Sequence, residues 1–511
     1  MKNRVPVDSA GEPGSDDREI GGRKELIERL RKGTRYVRLM RPAILGDGID
    51  SLETGENSCL LEKHRDAAEK GRLSVFVPAS GAATRMFQDL IRMLKMNCTE
   101  HEAQEHFEHF KRDFQRFPFF SPLEQAMKRD GVSLLEKISR DEWRPILSYL
   151  LTDQGLNLAD TPKALVSFHK YGDTVRTPLE EHLVEACSYL RDREGVCRLH
   201  FTFAPGRLSS ARQFLENVVP LYEDALNVRF RIQLSTQDPS TDTPALCPNG
   251  ELCRLTDGTL MLRPGGHGAL LENLQTSEGD IVFIKNIDNV TPDHLKPPVI
   301  HYKKLLCGRF LELESELRRY LRIMSQRRLL ASECEELFEF ATGKLHASIL
   351  PDPSSMNRDE TQRLLLEYLN RPLRVCGVVR NQGEPGGGPF WIREPTGNVS
   401  LQIVESAQVN HMEPKQHDIW HSATHFNPVD LVCGLRDWMG QPFTLSRYVD
   451  QEVCIITEKH HEGRPIRVLE LPGLWNGSMA MWHTVFVEVP VSTFQPVKRV
   501  EDLLKESHLP E

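Results

Sequence analysis

Apolar positions along the chain follow two rhythms, and each predicts a type of element. Unbroken or alternating apolar runs at 73–78 (LSVFVP), 199–203 (LHFTF), 228–234 (VRFRIQL), 281–284 (IVFI), 374–380, 399–405 and 484–489 predict strands. A further strand, entered by Lys163, is expected over 160–168. Spacing of three and four predicts helices at 24–32, 87–94, across 99–160, from 177, at 208–219 and from Leu270. From 305 to about 369 the pattern is almost continuously helical, with one break at 351–353 (PDP). Strands alternating with helices imply right-handed βαβ units and an α/β fold with a mainly parallel sheet.

The expected organisation is a disordered tail over 1–22 and an N-terminal helical segment over 23–70. An α/β half follows over 71–304, and a helical insertion over 305–372. A further part of the α/β domain over 373–490 and a C-terminal segment over 491–511 complete the chain. At 511 residues, the chain exceeds the size at which one core stops growing.

Composition narrows the classes. With 39% hydrophobic and 27% charged residues the chain reads as globular. A formal charge of −9 argues against a nucleic-acid partner, which leaves a basic footprint. No apolar run reaches the roughly 20 residues of a membrane helix. The N-terminus lacks the apolar core of a signal peptide, so no membrane and a cytoplasmic setting are expected. The 11 cysteines form no C-x-x-C pair and are expected to be reduced and structural.

Three stretches carry candidate chemistry. In 261–289, Gly265, Gly266, His267 and Gly268 precede a helix, and Asp288-Asn289 follow a strand. Glycines let a backbone approach a ligand. A helix start offers N–H groups to anions. A carboxylate beyond a strand's C-terminal end lies where open α/β sheets bind ligands. Together they suggest a phosphate-bearing ligand with a divalent metal, although the same pattern also suits a plain turn and a cap. In the second stretch, strand 73–78 runs into Ala79-Ser80-Gly81-Ala82-Ala83-Thr84-Arg85 and a helix. This reads either as a triphosphate cradle or as an alanine-rich turn with a surface arginine. The third stretch is Phe494-Gln495-Pro496-Val497-Lys498. Histidines invite zinc at His101, His106 and His109, and at His421 and His425. The first group lacks the i, i+4 spacing or a third ligand, and Pro428 favours a loop over a helix around the second.

Taken in order, these motifs resemble those of the UDP-sugar pyrophosphorylase group of nucleotidyltransferases, across about 73–504. Residues 79–86 resemble its A-G-G-x-G-T-R loop, with Ser80 and Ala83 in place of two glycines. Pro162-Lys163, Gln237, Pro264 to Gly268, Asp288-Asn289, the strand 401–406 (LQIVES), Thr424-His425-Phe426 and 494–498 resemble its later motifs. The chain is also similar over nearly its whole length to the bacterial domain-of-unknown-function family 4301. That likeness is carried by 41–48, GEPGGGPFW, THFNPVDLVCG and LPGLWNG. The resemblance implies a Rossmann-like, mostly parallel sheet of GT-A type with helical insertions. It implies Mg²⁺ on Asp288, and an NTP (UTP favoured) and a sugar 1-phosphate as partners. Arg85, Lys163 and Lys498 would then be catalytic. Ala79 to Thr84, Gln237 and Gly265 to Gly268 would bind nucleotide. Glu405, Asn289 and His425 would bind sugar. Two further readings remain open: a nucleotide- or sugar-phosphate-binding protein without catalysis, and a transferase with a non-sugar phosphate acceptor. The oligomeric state is not indicated.

Overall fold

The computed structural model describes residues 23–52, 55–95, 100–347, 358–383, 386–395 and 397–510. The expected disordered tail, the break at 351–353 and the side chains of His106 and His109 lie outside the described residues and side chains.

A ten-stranded mixed sheet organises the chain. Ile281–Lys285, Leu73–Pro78, Val196–Phe203 and Arg229–Thr236 are parallel neighbours. Leu373–Arg380, His483–Glu488 and Gly48–Asp50 form a second parallel run. Asp430–Gly434 lies between the two and is antiparallel to both Ile281–Lys285 and Leu373–Arg380. Both parallel runs therefore point the same way. Their C-terminal ends share one edge, and the segments starting at 79, 237, 286, 381 and 489 all leave the sheet there.

The central strands read as near-continuous apolar runs because both sheet faces are covered there, whereas the edge strand Arg229–Thr236 alternates. Alternate residues point to opposite faces. Val75, Val77, Ile281 and Phe283 meet Leu306, Phe310, Leu313 and Leu317 on one face. Phe76, Val282 and Ile284 meet Leu270, Leu271, Leu274 and a small antiparallel sheet carrying Trp391, Leu401 and Ile403 on the other. A separate helical core contains Phe87, Phe107, Trp143 and Ile146, and it takes in Val497, Val500 and Leu503 from the C-terminus.

Several features differ from the sequence reading. The segment 23–70, expected to be helical, also holds the strands Arg38–Pro42, Ile44–Leu45 and Gly48–Asp50, and Asp430–Gly434 is a strand that the sequence reading lacks. No strand forms over 160–168. Lys163–Leu165 is a 3₁₀ turn, because Pro162 bridges to Ala82 and the Lys163 N–H donates to the Gly81 carbonyl at 3.1 Å. The nearby strand His169–Tyr171 pairs only with Thr174–Arg176, away from the main sheet. Cys247 and Cys253 are joined by a disulfide, correcting the expectation of reduced thiols at those two positions: the short turn between them brings the thiols together without a C-x-x-C spacing. The long helix Lys296–Gln326 starts before position 305 and lies directly on the sheet. Among the described residues no helix is long and apolar enough to cross a membrane.

The long helix crosses Asn57–Glu69 so closely that a Cβ on Gly308 would overlap the Leu60 carbonyl. Both backbones are fixed by their own hydrogen-bond ladders, so neither yields easily. Gly308→Ala should lower unfolding stability by about 1–3 kcal/mol in urea titration. An unchanged midpoint would show that this crossing is not tight.

Candidate functional site at the C-terminal edge of the sheet

The turn after Ile281–Lys285 presents Asp288, which is 7% exposed. Its Oδ2 accepts from Lys163 Nζ at 2.8 Å and from Lys498 Nζ at 3.1 Å. Three residues far apart in sequence thus meet at one oxygen. The other oxygen, Oδ1, is buried and has no hydrogen-bond partner among the described residues. Backbone contacts fix this meeting point. The Val497 N–H donates to the Asp288 carbonyl at 3.1 Å, and the Gln495 N–H donates to Asn289 Oδ1 at 2.9 Å. Lys163 Nζ also donates to the Val497 carbonyl at 2.6 Å. Val497 itself is fully buried in the helical core, which anchors the segment bearing Lys498.

Burial alone would raise the Asp288 carboxyl, but Lys163 and Lys498 hold it below the usual carboxylate range. Burial lowers the Lys163 ammonium, and Asp288 opposes that shift. Asp288 is therefore ionised at neutral pH, between two cations.

The loop after Leu73–Pro78 is built onto the Lys163 turn. The Ala83 N–H donates to the Thr161 carbonyl and Thr84 Oγ1 donates to the Ala159 carbonyl, each at 3.1 Å. The Ala79 N–H is used by the Thr202 carbonyl, and Ala79 and Ala83 are fully buried. Ser80, Gly81 and Ala82 are exposed, and among the described residues their N–H groups meet no acceptor. Arg85 is exposed on the same turn. No residue from 79 to 86 has positive φ, so the path does not demand glycine at Ser80 or Ala83.

A second cluster forms around His267. Its ring stacks on Trp475, with centroids 4.2 Å apart. Its Nδ1 accepts the Leu474 N–H at 3.0 Å, which leaves the proton of the neutral ring on Nε2. That nitrogen lies 3.6 Å from Glu405 Oε1, which also accepts from Trp475 Nε1 at 3.2 Å. Burial lowers the His267 pKa against the opposing pull of Glu405 and Glu470. Gln408 Oε1 accepts from the Glu405 N–H and from Asn476 Nδ2. The glycines of this turn have a packing reason. A Cβ on Gly268 would overlap the Pro472 carbonyl, and one on Gly265 would crowd the Thr241 carbonyl. Gly266 has φ 77°.

The remaining expected residues are placed as follows. Gln237 Nε2 donates to Thr241 and Asp242 within its own loop, each at 3.1 Å. His425 is buried, with Nε2 3.1 Å from Glu488 Oε1, which also receives Arg380 at 2.8 Å. A chain of contacts joins the Glu405 and Asp288 ends. Gly388 pairs with Val404 next to Glu405, the neighbouring Gly387 carbonyl accepts the Asn427 N–H, Phe426 packs on Phe494, and the Gln495 N–H donates to Asn289. A cavity of about 400 Å³ is lined by Gly387, Ser406 and His425, and one of about 380 Å³ by Arg380, Gln495 and Lys498. The sequence assigns no role to Trp475 and Asn476 within LPGLWNG. A lone tryptophan in a polar, glycine-bearing loop was the signal available.

Among the described residues no three His, Cys, Asp or Glu side chains gather as a metal cage. Magnesium does not need one. It is commonly held by one or two carboxylates plus substrate phosphates. The unpartnered Asp288 Oδ1 fits that mode.

Fold and site together define a mixed α/β protein whose sheet edge gathers cations, free amides and one ionised carboxylate. The chain belongs to the family described as Domain of unknown function (DUF4301), whose model matches residues 15–509. No curated protein sequence matches it. Among solved structures it is similar to a UDP-glucose pyrophosphorylase variant from Leishmania major in complex with UDP-glucose. That match has 13% identity and a TM-score of 0.44, covering 96% of this chain and 75% of that one. It is also similar to the uridine diphosphate N-acetylglucosamine pyrophosphorylase of Trypanosoma brucei, at 11% identity and TM-score 0.48, covering 96% and 79%. A putative enzyme of the latter name from Entamoeba histolytica matches at 9% identity and TM-score 0.41, covering 88% and 82%. The functional reading below therefore rests on the geometry of this chain.

The lysine clamp has a pH signature. Because the folded pKa of Asp288 is lowered, its stabilising contribution is complete above the ordinary carboxylate value of about 3.9 and is lost as pH falls through the folded value. Asp288→Asn should lower stability by about 2 kcal/mol at pH 7. The gap to the parent should close in thermal melts below about pH 4. A gap independent of pH would contradict the ionised clamp.

Proposed function

We propose that the protein is a nucleotidyltransferase. It would join an NTP, UTP favoured, to a sugar 1-phosphate, giving an NDP-sugar and pyrophosphate on a sheet of GT-A type. The observation that carries this reading is the convergence of Lys163 and Lys498 on one oxygen of Asp288 while the other oxygen is unpartnered. Buried Glu185 likewise leaves one oxygen without a hydrogen-bond partner among the described residues. What sets Asp288 apart is that its two lysines come from remote segments and meet at the C-terminal edge of the sheet, where open α/β sheets bind ligands.

The chemistry follows from charge and position. An oxygen of the sugar phosphate attacks the α-phosphorus in line. The bond from that phosphorus to the bridging oxygen breaks, and pyrophosphate leaves with the electron pair. Such a reaction needs alignment and charge neutralisation more than covalent help. The free amides of Ser80, Gly81 and Ala82, with Arg85, suit the departing pyrophosphate. Lys163 and Lys498 exchange part of their contact with Asp288 for the α-phosphate and the acceptor phosphate. Asp288 Oδ1 would hold Mg²⁺, which when bound would neutralise phosphate charge. Asn289 supports the Asp288 turn on the acceptor side. Gln237 and the Gly265 to Gly268 turn would read base and ribose. Glu405, with one oxygen engaged by Trp475, has the second available for sugar hydroxyls, and His425 would contribute from the adjoining cavity that it lines with Ser406.

The glycine replacements at Ser80 and Ala83 are the sequence feature that favours a non-catalytic binding protein. The ordinary backbone angles there supply no support for it.

The test is a screen of each NTP with Mg²⁺ and a panel of sugar and non-sugar phosphates, following pyrophosphate. Release is expected with at least one sugar 1-phosphate, and UTP should be the best donor. Asp288→Ala should lose at least about 1,000-fold in kcat while remaining folded. No release with any pair, or full activity in Asp288→Ala, contradicts the proposal. Glu405→Ala should raise KM for the sugar phosphate by about tenfold or more, with a much smaller change for the NTP. An equal rise for both substrates would remove Glu405 from the sugar.

A further inference from the structure

The second sheet contains a pairing that strand physics disfavours. Arg38–Pro42 is antiparallel to Gly388–Arg393, and the register places Arg38 directly opposite Arg393. Like charges facing across a strand pair repel each other. Surface strands normally relieve this with a nearby carboxylate, yet neither arginine makes a salt bridge among the described residues. The hydrogen bond of the Arg393 guanidinium goes to the thioether sulfur of Met40, a weak acceptor. A third arginine, Arg35, lines the same cleft.

The cleft itself has a volume of about 480 Å³. That is within the size range of small-molecule sites. Its apolar part is formed by Tyr36, Ile392 and Met481, and Tyr36 and Met481 are large side chains left 49% and 44% exposed. Gln402 forms a fixed part of the wall. Its Nε2 donates to the Ala480 carbonyl at 2.6 Å, and its Oε1 accepts from buried Arg374. Two acids also line the cleft, Glu394 and Asp450. Asp450 is occupied in part by the Glu452 N–H. Three guanidiniums against two carboxylates leave the cleft cationic.

Its position separates it from the Asp288 site. Ala480 and Met481 lie just before His483, where the strand His483–Glu488 begins. The Asp288 site lies at the edge where the parallel strands end. The cleft is therefore at the opposite end of the same strand.

We propose that this cleft is a second ligand site, which binds a small phosphate-bearing molecule with an aromatic or apolar body. The phosphate would sit between Arg38 and Arg393, with Arg35 as a further donor, and the body would lie on Tyr36 and Met481. A phosphate between two guanidiniums turns their repulsion into paired, charge-assisted hydrogen bonds. An adjacent aromatic and aliphatic surface accounts for the exposed Tyr36 and Met481. The inference is independent of nucleotidyl transfer and stands or fails separately from it.

The probe is phenyl phosphate, titrated calorimetrically into the full chain, with phenol and inorganic phosphate as partial ligands. Saturable binding is expected, tighter than for either partial ligand. The double variant Arg38→Gln/Arg393→Gln should weaken it by about tenfold or more, while Lys163→Met should leave it unchanged. A thermal readout is separate. Arg393→Glu should raise the melting temperature of the ligand-free protein by replacing repulsion with an ion pair, and phenyl phosphate should no longer raise it further. No saturable binding by the parent up to about 10 mM overturns the proposal. So does equal binding by the double variant, or loss of binding in Lys163→Met, which would place the probe at the Asp288 site. A parent dimer that the double variant converts to a monomer, without phenyl phosphate binding, would assign the cleft to self-association instead and also overturn it.

Discussion

The ionised carboxylate of Asp288 is the contact on which the arrangement of the site depends. Holding a charge in a largely buried turn is expensive unless cations and hydrogen bonds compensate it. Lys163 and Lys498 compensate it at one oxygen, and their own positions are set by doing so. Lys163 carries the 79–85 loop with it through the Gly81 and Thr161 contacts. Lys498 carries the C-terminal segment, which ends packed in the helical core. One carboxylate therefore aligns a loop from the first half of the chain with a segment from its end.

Deeper in the protein, a second set of buried charges supports the same turn. Lys285 pairs with Glu185 at 2.6 Å, and Lys303 pairs with Asp430 at 2.6 Å. His182 lies 3.3 Å from the Ile287 carbonyl. Glu185 and His182 come from the helix Pro178–Cys187, whose start is fixed by Thr177 and Glu180 in a reciprocal cap. Lys303 comes from the long helix. Such pairs add little net stability against hydrophobic replacements, but removing one partner is costly. They consequently fix how the two helices, the Ile281–Lys285 strand and the reversed Asp430–Gly434 strand sit together.

Much of the sheet was legible because its central strands are predominantly apolar and bounded by turn residues, as at 73–78 and 281–284. The meeting of Lys163, Asp288 and Lys498 was legible only as an order of motifs, since no spacing rule brings residues so distant in sequence together. The long helix was readable as a helix, but not as a layer of the core. Lys296, Lys303 and Glu314 are buried in it and give a face that looks solvent-exposed in sequence. The strand expected at 160–168 failed because a tertiary bridge from Pro162 to Ala82 outweighed local β propensity. The Gly265 to Gly268 turn showed its glycines but not their neighbours. The carbonyls of Thr241 and Pro472 come from remote segments. Trp475 was illegible as a partner of His267 and Glu405 for the same reason.

The central claim is that Asp288, Lys163 and Lys498 act as one phosphate- and metal-handling unit. It is tested most directly by Mn²⁺ as a paramagnetic stand-in for Mg²⁺, followed by electron paramagnetic resonance with a non-hydrolysable UTP analogue. The account predicts that protein and nucleotide together bind Mn²⁺ more tightly than either alone. Asp288→Asn should abolish that gain although the variant remains folded, and Lys163→Met should weaken it. An undiminished ternary Mn²⁺ signal in Asp288→Asn would contradict the account.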